Sequence, residues 1–182
     1  MNYLCAKWEE ELGCNFNIDY LYKCFKMIYY CTIDTRYREF QYKTLHRIVV
    51  LNPFLKIVGH KQTEMCYFCN QEKETLSHFM YLCPKVLPIW NSILSSVNRV
   101  YNVDVYHGVN YIILGHPNNI LFNFISVIVK KFLYYCKTAK KVPSVTGAMK
   151  CIYKAESIEK EIANKGNTLH KYYKKWNKII YT

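Results

Sequence analysis

The sequence predicts an all-α fold, an irregular multi-helix domain that carries a small Cys-Cys-His-Cys unit. Glycine and proline are scarce, at 6 and 5 of 182 residues, which disfavours long loops and all-β architectures. Apolar residues make up 51% of the chain and charged residues 21%, so the chain can bury a core and does not resemble a disordered protein. Apolar residues also recur at helical spacing in most segments.

The first 50 residues predict three helices. Two fall within residues 1–34, with Gly13 ending the first. The third covers residues 35–50 and is capped by Asp34 or Thr35. At about 100° per residue, its apolar face is predicted to hold the following residues: Tyr42, Leu45, Ile48 and Val49. Pro53 then opens a short helical turn.

The second half of the chain predicts further helices. Val86, Trp90, Ile93 and Val97 form an amphipathic stripe, with Pro88 in the first turn. Residues 101–117 contain β-prone valines and glycine breaks, which indicate a loop or a short extended crossing. Residues 120–135 predict a buried helix, residues 144–163 another, and residues 168–181 a two-faced basic helix.

We divide the chain into three segments on this basis. Residues 1–58 form an N-terminal helical segment, residues 59–100 a metal-binding unit with its following helix, and residues 101–182 a basic C-terminal helical segment.

The metal-binding unit is predicted from four residues within 18 positions: Cys66, Cys69, His78 and Cys83. Zn²⁺ favours thiolate and imidazole ligands in a tetrahedron, and a Cys-x-x-Cys turn directs two sulfurs at one ion. Residues 73–82 are helix-compatible, which would put His78 on the inner face. Four protein ligands leave no open position, so the zinc would be structural. A redox Cys-x-x-Cys and a chance pattern in a chain with nine cysteines are the alternatives.

The sequence around this unit resembles the zinc-binding region that lies C-terminal to the reverse transcriptase of LINE-type non-LTR retrotransposons. The resemblance rests on the run from Arg36 to Arg47, Asn52-Pro53, Glu74-Thr75-Leu76, Cys83-Pro84 and Trp90, with weaker similarity at 112–115 and Trp176. It implies an all-helical region that assists a polymerase copying its own RNA at nicked DNA. It also implies that the chain is a detached or truncated part of a polyprotein.

The charge distribution suggests a polyanionic partner. Net charge is +12, and residues 101–182 hold 13 basic but only 4 acidic side chains. One predicted phosphate-binding row, on the helix over 35–50, contains Arg36, Lys43 and Arg47. A second row on the last helix contains Lys171, Lys174, Lys175 and Lys178. The alternative is that both rows are solvated faces.

Catalysis is not predicted. Polymerase and nuclease chemistry needs clustered carboxylates for Mg²⁺, whereas the three aspartates, Asp19, Asp34 and Asp104, are scattered. No signal peptide is recognisable, so we expect an intracellular protein of nucleus and cytoplasm with no membrane partner. The six other cysteines should then be reduced and buried: Cys5, Cys14, Cys24, Cys31, Cys136 and Cys151.

The leading functional interpretation is therefore a non-catalytic, zinc-binding accessory region of a retrotransposon reverse transcriptase. It would hold template RNA or target DNA, with the polymerase part of the same polyprotein as a further partner. The alternative is a zinc-stabilised protein-interaction module that does not bind nucleic acid.

Overall fold

The structure, a computed structural model, describes residues 2–176 and contains nine α-helices within that range. They are α1 (Asn2–Leu12), α2 (Ile18–Cys31), α3 (Thr35–Leu45), α4 (Asn52–Ile57), α5 (Leu87–Tyr101), α6 (Val109–Ile113), α7 (Ile120–Thr138), α8 (Val145–Lys165) and α9 (Leu169–Lys175). One π-helical turn covers His78–Leu82. The described residues form a single isolated antiparallel bridge, between Met65 and Lys73, and no sheet. The predicted all-α class is confirmed.

Helix α7 lies at the centre of the fold and packs against α2, α3, α6 and α8. Its residues 121–130 are all buried, as the nearly continuous apolar sequence predicts. The hydrophobic core includes residues from all three predicted segments. None of the described helices combines the length and apolar character needed to cross a membrane.

Local sequence signals explain most helix boundaries. The side chains of Asn17, Asp34, Asn119 and Ser144 accept hydrogen bonds from backbone N–H groups in the first turns of α2, α3, α7 and α8. Gly13 follows α1 with φ of +65°, a conformation that glycine adopts without strain. Pro88 stands in the first turn of α5, as predicted.

The helix predicted over residues 35–50 is shorter than expected, and its predicted apolar face is only half right, because Leu45 and Val49 are buried and two other members are not. It ends at Leu45, and Arg47 then adopts φ of +59°, which turns the chain away. Tyr42 and Ile48 are about half exposed. The buried face of the helix contains Leu45, as predicted, together with Phe40, Gln41 and Thr44.

Two polar residues explain that change of face. Fully buried Lys130 of α7 donates hydrogen bonds to Gln41 Oε1 at 2.7 Å and to the Ile113 carbonyl at 2.9 Å. Gln41 Nε2 donates to the same carbonyl at 3.0 Å. This network joins α3, α6 and α7, and it places a glutamine where the apolar pattern predicts none.

Two further predictions of local structure are corrected. The 101–117 segment contains the short helix α6, in which Ile112 and Ile113 are buried. Residues 73–75 are not helical, and the helical structure begins only at Leu76, from where it continues as the π-helical turn. Ile180 and the rest of the final helix predicted beyond Trp176 lie outside the described residues.

Candidate metal centre and basic surface

A tight hairpin positions the first two cysteines. The Cys66 N–H donates to the Glu72 carbonyl at 2.7 Å, and the Asn70 N–H donates to the Cys66 carbonyl at 2.9 Å. Asn70 has φ of +53°, a left-handed conformation that asparagine tolerates better than most residues. The turn between them holds Cys66 and Cys69 on one side of the hairpin.

The π-helical turn positions the other two members of the cluster. The Thr75 hydroxyl accepts a hydrogen bond from the His78 N–H at 3.1 Å. Five residues on, the Cys83 N–H donates to the His78 carbonyl at 2.8 Å. This i to i+5 spacing brings His78 and Cys83 onto the same side of the turn, facing the hairpin.

The four side chains converge as the sequence predicts. Their ligand atoms all lie within 4.8 Å of one another. The Sγ atoms of Cys66 and Cys83 are 3.8 Å apart, and Cys69 Sγ lies 3.3 Å from His78 Nε2. Two sulfurs bound at about 2.3 Å to one tetrahedral zinc ion would lie about 3.8 Å apart. The Cys₃His cluster is therefore suited to Zn²⁺.

The environment of the thiols differs across the cluster. Burial raises the pKa of the Cys66 thiol to about 12, and it also raises the pKa of Cys83. Burial raises the pKa of Cys69 too, but hydrogen bonds from the backbone of Gln71 and Glu72 and from the side chains of His78 and Cys83 together lower that pKa to about 7. A bound dication would hold all three as thiolates, because a coordinating thiol is deprotonated.

Two carboxylates support the cluster from outside. Glu72 Oε2 lies 3.1 Å from His78 Nδ1, so the ring can present Nε2 to the ion. Glu74 is buried and joins three elements. Its Oε2 accepts from the Tyr67 N–H at 2.7 Å, and its Oε1 accepts from the Asn52 N–H at 2.8 Å and from Lys137 of α7. Glu74 thereby ties the hairpin to α4 and to the core.

The helix after the cluster packs against it. The Trp90 indole Nε1–H donates to the Met80 carbonyl at 2.7 Å, and the Tyr81 and Trp90 rings are in edge contact. Of the two nearby histidines, His60 is exposed and outside the cluster, and His46 contacts the rings of Phe25 and Tyr42.

The predicted row of Arg36, Lys43 and Arg47 does not form. Arg36 is exposed and bound through two nitrogens to Asp34, and Lys43 pairs with Glu39 at 2.6 Å on the surface. Arg47 lies beyond the end of α3, where it pairs with half-buried Glu11 at 2.5 Å. A row along one helix face cannot include Arg47, because the chain turns before it.

The described lysines of the predicted C-terminal row also do not share one solvated face. Lys171 and Lys174 are exposed, as predicted. Lys175 instead turns inward, where it pairs with Glu159 at 2.7 Å and donates to the Cys31 carbonyl at 2.5 Å. Lys178 lies outside the described residues.

The other cysteines follow the prediction with two exceptions. Cys5, Cys24, Cys31 and Cys136 are buried, whereas Cys14 is exposed and Cys151 is half-buried. All nine thiols, which fall within the described residues, are free.

Apolar spacing and metal-ligand spacing do not single out Glu72 or Glu74, although Glu74 belongs to one of the motifs on which the family resemblance rests. Both lie in a polar stretch, Gln71 to Thr75, that is typical of a solvated loop. A physical signal is the closeness of these acids to the Cys-x-x-Cys and the histidine, since ligating histidines usually pair with a carboxylate.

Comparison with known proteins agrees with this geometry. No curated protein sequence matches the chain. Residues 14–90 match the sequence model of a family described as zinc-binding in reverse transcriptase, and the match contains the whole Cys₃His cluster and ends at Trp90. That family is a zinc-binding region and not the polymerase domain. Over these residues, somewhat under half of its length, the chain is similar to the zinc-binding region of reverse transcriptases.

Proposed function

We propose that this chain is a zinc-binding accessory region of a LINE-type reverse transcriptase, C-terminal to the polymerase, that holds template RNA or target DNA during target-primed reverse transcription. The observation that carries the proposal is the coincidence of the family match with a closed Cys₃His cluster at the matched positions. The activity would belong to the polymerase part of the same polyprotein, and this chain would contribute binding and positioning in the nucleus and cytoplasm.

The ligands of the zinc would be Cys66, Cys69, His78 and Cys83. When bound, the ion cross-links two short segments that have little regular structure of their own. Glu72 would hold the tautomer of His78, and Glu74 would transmit the fixed hairpin geometry to α4 and α7. The four protein ligands complete a tetrahedron, so the proposed role is structural.

Nucleic-acid binding is supported by the surplus of basic side chains and by the exposure of several of them. The net charge of +12 favours a polyanion. Arg36, Lys43, Lys171 and Lys174 have access to solvent. The ion pair that Lys43 makes is a surface pair, which contributes about 0–1 kcal/mol, so a phosphate can replace its carboxylate partner at small cost.

A titration of the zinc-loaded chain with labelled single-stranded RNA and with duplex DNA, at several salt concentrations, tests this proposal. We expect affinity to fall linearly with log salt concentration for at least one of the two, since phosphate contacts release counterions. Absence of salt-dependent binding to both, by a folded chain with full zinc content, would contradict it.

A zinc-stabilised protein-interaction module is the second candidate, and a specific surface favours it. Helix α4 exposes Phe54 and Ile57, and Val58 follows at its end, half exposed. Exposed apolar side chains grouped in this way are typical of a protein contact. A chain that fails the titration above but binds the polymerase part, and loses that binding in Ile57→Ser, would support this candidate.

A further inference from the structure

Three adjoining depressions form one furrow along the surface of the molecule. The central depression, of about 560 Å³, lies between the start of α3 and α8. On one side it shares Arg36 and Lys131 with a depression of about 340 Å³ between α3 and α7. On the other it shares Thr32 and Ile33 with a depression of about 280 Å³ beside α9. We use "the furrow" for these three together.

The furrow has a surplus of positive charge that internal pairing does not cancel. Its three acidic side chains, Asp34, Glu39 and Glu159, pair with Arg36, Lys43 and Lys175. Three lining lysines are then left without an acidic partner among residues 2–176. They are Lys131, which lies where the first two depressions meet, Lys154 in the central depression and Lys171 in the third.

Tyrosine rings accompany these lysines. Tyr135 lines the second depression and Tyr30 the third, and both residues are more than half exposed. Lys141 Nζ lies 5.2 Å from the centroid of the Tyr135 ring and adds a further cation there. Tyr37 forms part of the wall of the central depression, where Lys131 Nζ lies 5.0 Å from its ring centroid. Cations and accessible aromatic rings that line the same concave surface are the features of sequence-independent single-strand binding.

We propose that the furrow binds a single strand of RNA or DNA. The phosphates would contact Lys131, Lys154 and Lys171, and the unpaired bases would stack on the tyrosines. This inference rests on the proposed function and deepens it by assigning the binding path. The furrow also connects the two basic regions of the sequence. Arg36 and Lys43 line its second depression, and Lys171 lines its third. A duplex presents its bases to one another, so it cannot use the tyrosine contacts.

The central test replaces the three lysines that have no acidic partner within the described part of the chain in one triple variant, Lys131→Gln, Lys154→Gln, Lys171→Gln. Binding of a single-stranded oligonucleotide of about 15 residues is measured against salt concentration. We expect the slope of log affinity against log salt to fall by about 2, from roughly 0.7 per phosphate contact. The matched control is Lys23→Gln, Lys56→Gln, Lys165→Gln, which loses the same charge from exposed positions outside the furrow. Its slope should remain that of the wild type.

Stacking is tested separately. Tyr135→Leu and Tyr30→Leu should each lower single-strand affinity about tenfold and leave duplex affinity unchanged. Tyr3→Leu, at an exposed position on α1 outside the furrow, is the control. Single-stranded RNA and single-stranded DNA are compared in parallel arms, and a difference between them identifies the preferred strand.

Protection of a cysteine from alkylation tests directly whether the bound strand lies in the furrow. Half-buried Cys151 lines the central depression, whereas exposed Cys14 does not line the furrow. A bound strand should slow the alkylation of Cys151, read by peptide mass spectrometry, without slowing that of Cys14.

The outcomes separate the two proposals. Salt-dependent binding with the same slope in both triple variants, or with no protection of Cys151, would overturn the furrow and leave the proposed function intact. Equal competition by polyglutamate and by the oligonucleotide would also overturn it, because the site would then recognise charge alone. No binding of any nucleic acid by the wild type would overturn both.

Discussion

The carboxylate of Glu74 accepts a hydrogen bond from the backbone N–H of Tyr67 at 2.7 Å, inside the Cys-x-x-Cys turn. The same carboxylate is buried and pairs with Lys137 of α7. The carboxylate of Glu74 therefore connects the proposed zinc unit to the central helix.

Glu74→Gln should destabilise the fold strongly. The buried ammonium of Lys137 would lose its counter-charge, which costs about 3–5 kcal/mol for a broken buried pair. The free energy of unfolding of the zinc-loaded chain, measured by denaturant titration, reports this loss. Glu64→Gln is the matched control, because its pair with Lys73 is a longer surface contact, at 3.4 Å, and should contribute less than about 1 kcal/mol.

The double variant Glu74→Gln, Lys137→Met isolates the charge effect. We expect it to be more stable than Glu74→Gln alone, since the uncompensated cation is gone. Equal stability of the two variants would mean that the lysine does not carry the penalty.

Arg47→Gln should affect stability and not nucleic-acid binding. Arg47 pairs with half-buried Glu11, and its guanidinium lies 4.7 Å from the ring centroid of fully buried Trp8. Loss of both contacts should cost about 2–4 kcal/mol in the free energy of unfolding. Arg36→Gln, which removes only a surface pair, should cost less than about 1 kcal/mol. An unchanged free energy of unfolding in Arg47→Gln would contradict the structural role.

Because Lys130 is buried, the free energy of unfolding should depend on pH in a specific way. Burial lowers the pKa of Lys130 to about 7, against about 10.4 for an unfolded lysine. Between these values the unfolded chain binds more protons than the folded chain, so the contribution of Lys130 to stability rises with pH. Below pH 7 the lysine is charged in both states, and the full cost of burying that charge applies.

Comparison of the wild type with Lys130→Met measures this effect. Both proteins contain the same thiols, so the contribution of thiol titration cancels in the difference. The free energy of unfolding of the wild type minus that of the variant should increase by about 1 kcal/mol per pH unit from pH 7 to 10. A difference that is constant over this range would show that Lys130 stays protonated in the fold.

The sequence was most informative where apolar spacing and helix caps agree. Helices α2, α5, α7 and α8 were predicted because each has a continuous apolar stripe, and the capping residues Asn17 and Ser144 reinforce two of them. The convergence of the four cluster residues was predicted because zinc-type spacing constrains a short segment strongly. Whether they bind zinc stays a prediction.

The errors arose where tertiary contacts overrule local pattern. Gln41 is buried because Lys130, 89 positions away, supplies a partner, and no local signal reports that. Lys175 fits the same lysine pattern as its solvated neighbours, but its side chain points inward because it pairs with Glu159 on α8. The turn at Arg47 falls inside an apolar pattern that continues to Val49, so periodicity predicts a longer helix than forms.

The zinc content of the purified chain tests the central claim most directly. Elemental analysis should find one zinc per chain in the wild type, and Cys66→Ser, Cys69→Ser should lose it, because two of the four ligands are removed. Cys5→Ser, Cys14→Ser, which changes two thiols outside the cluster, should keep it. Well under one zinc in the wild type, or full zinc content in the Cys66 and Cys69 double variant, would contradict the assignment of this cluster as the metal centre.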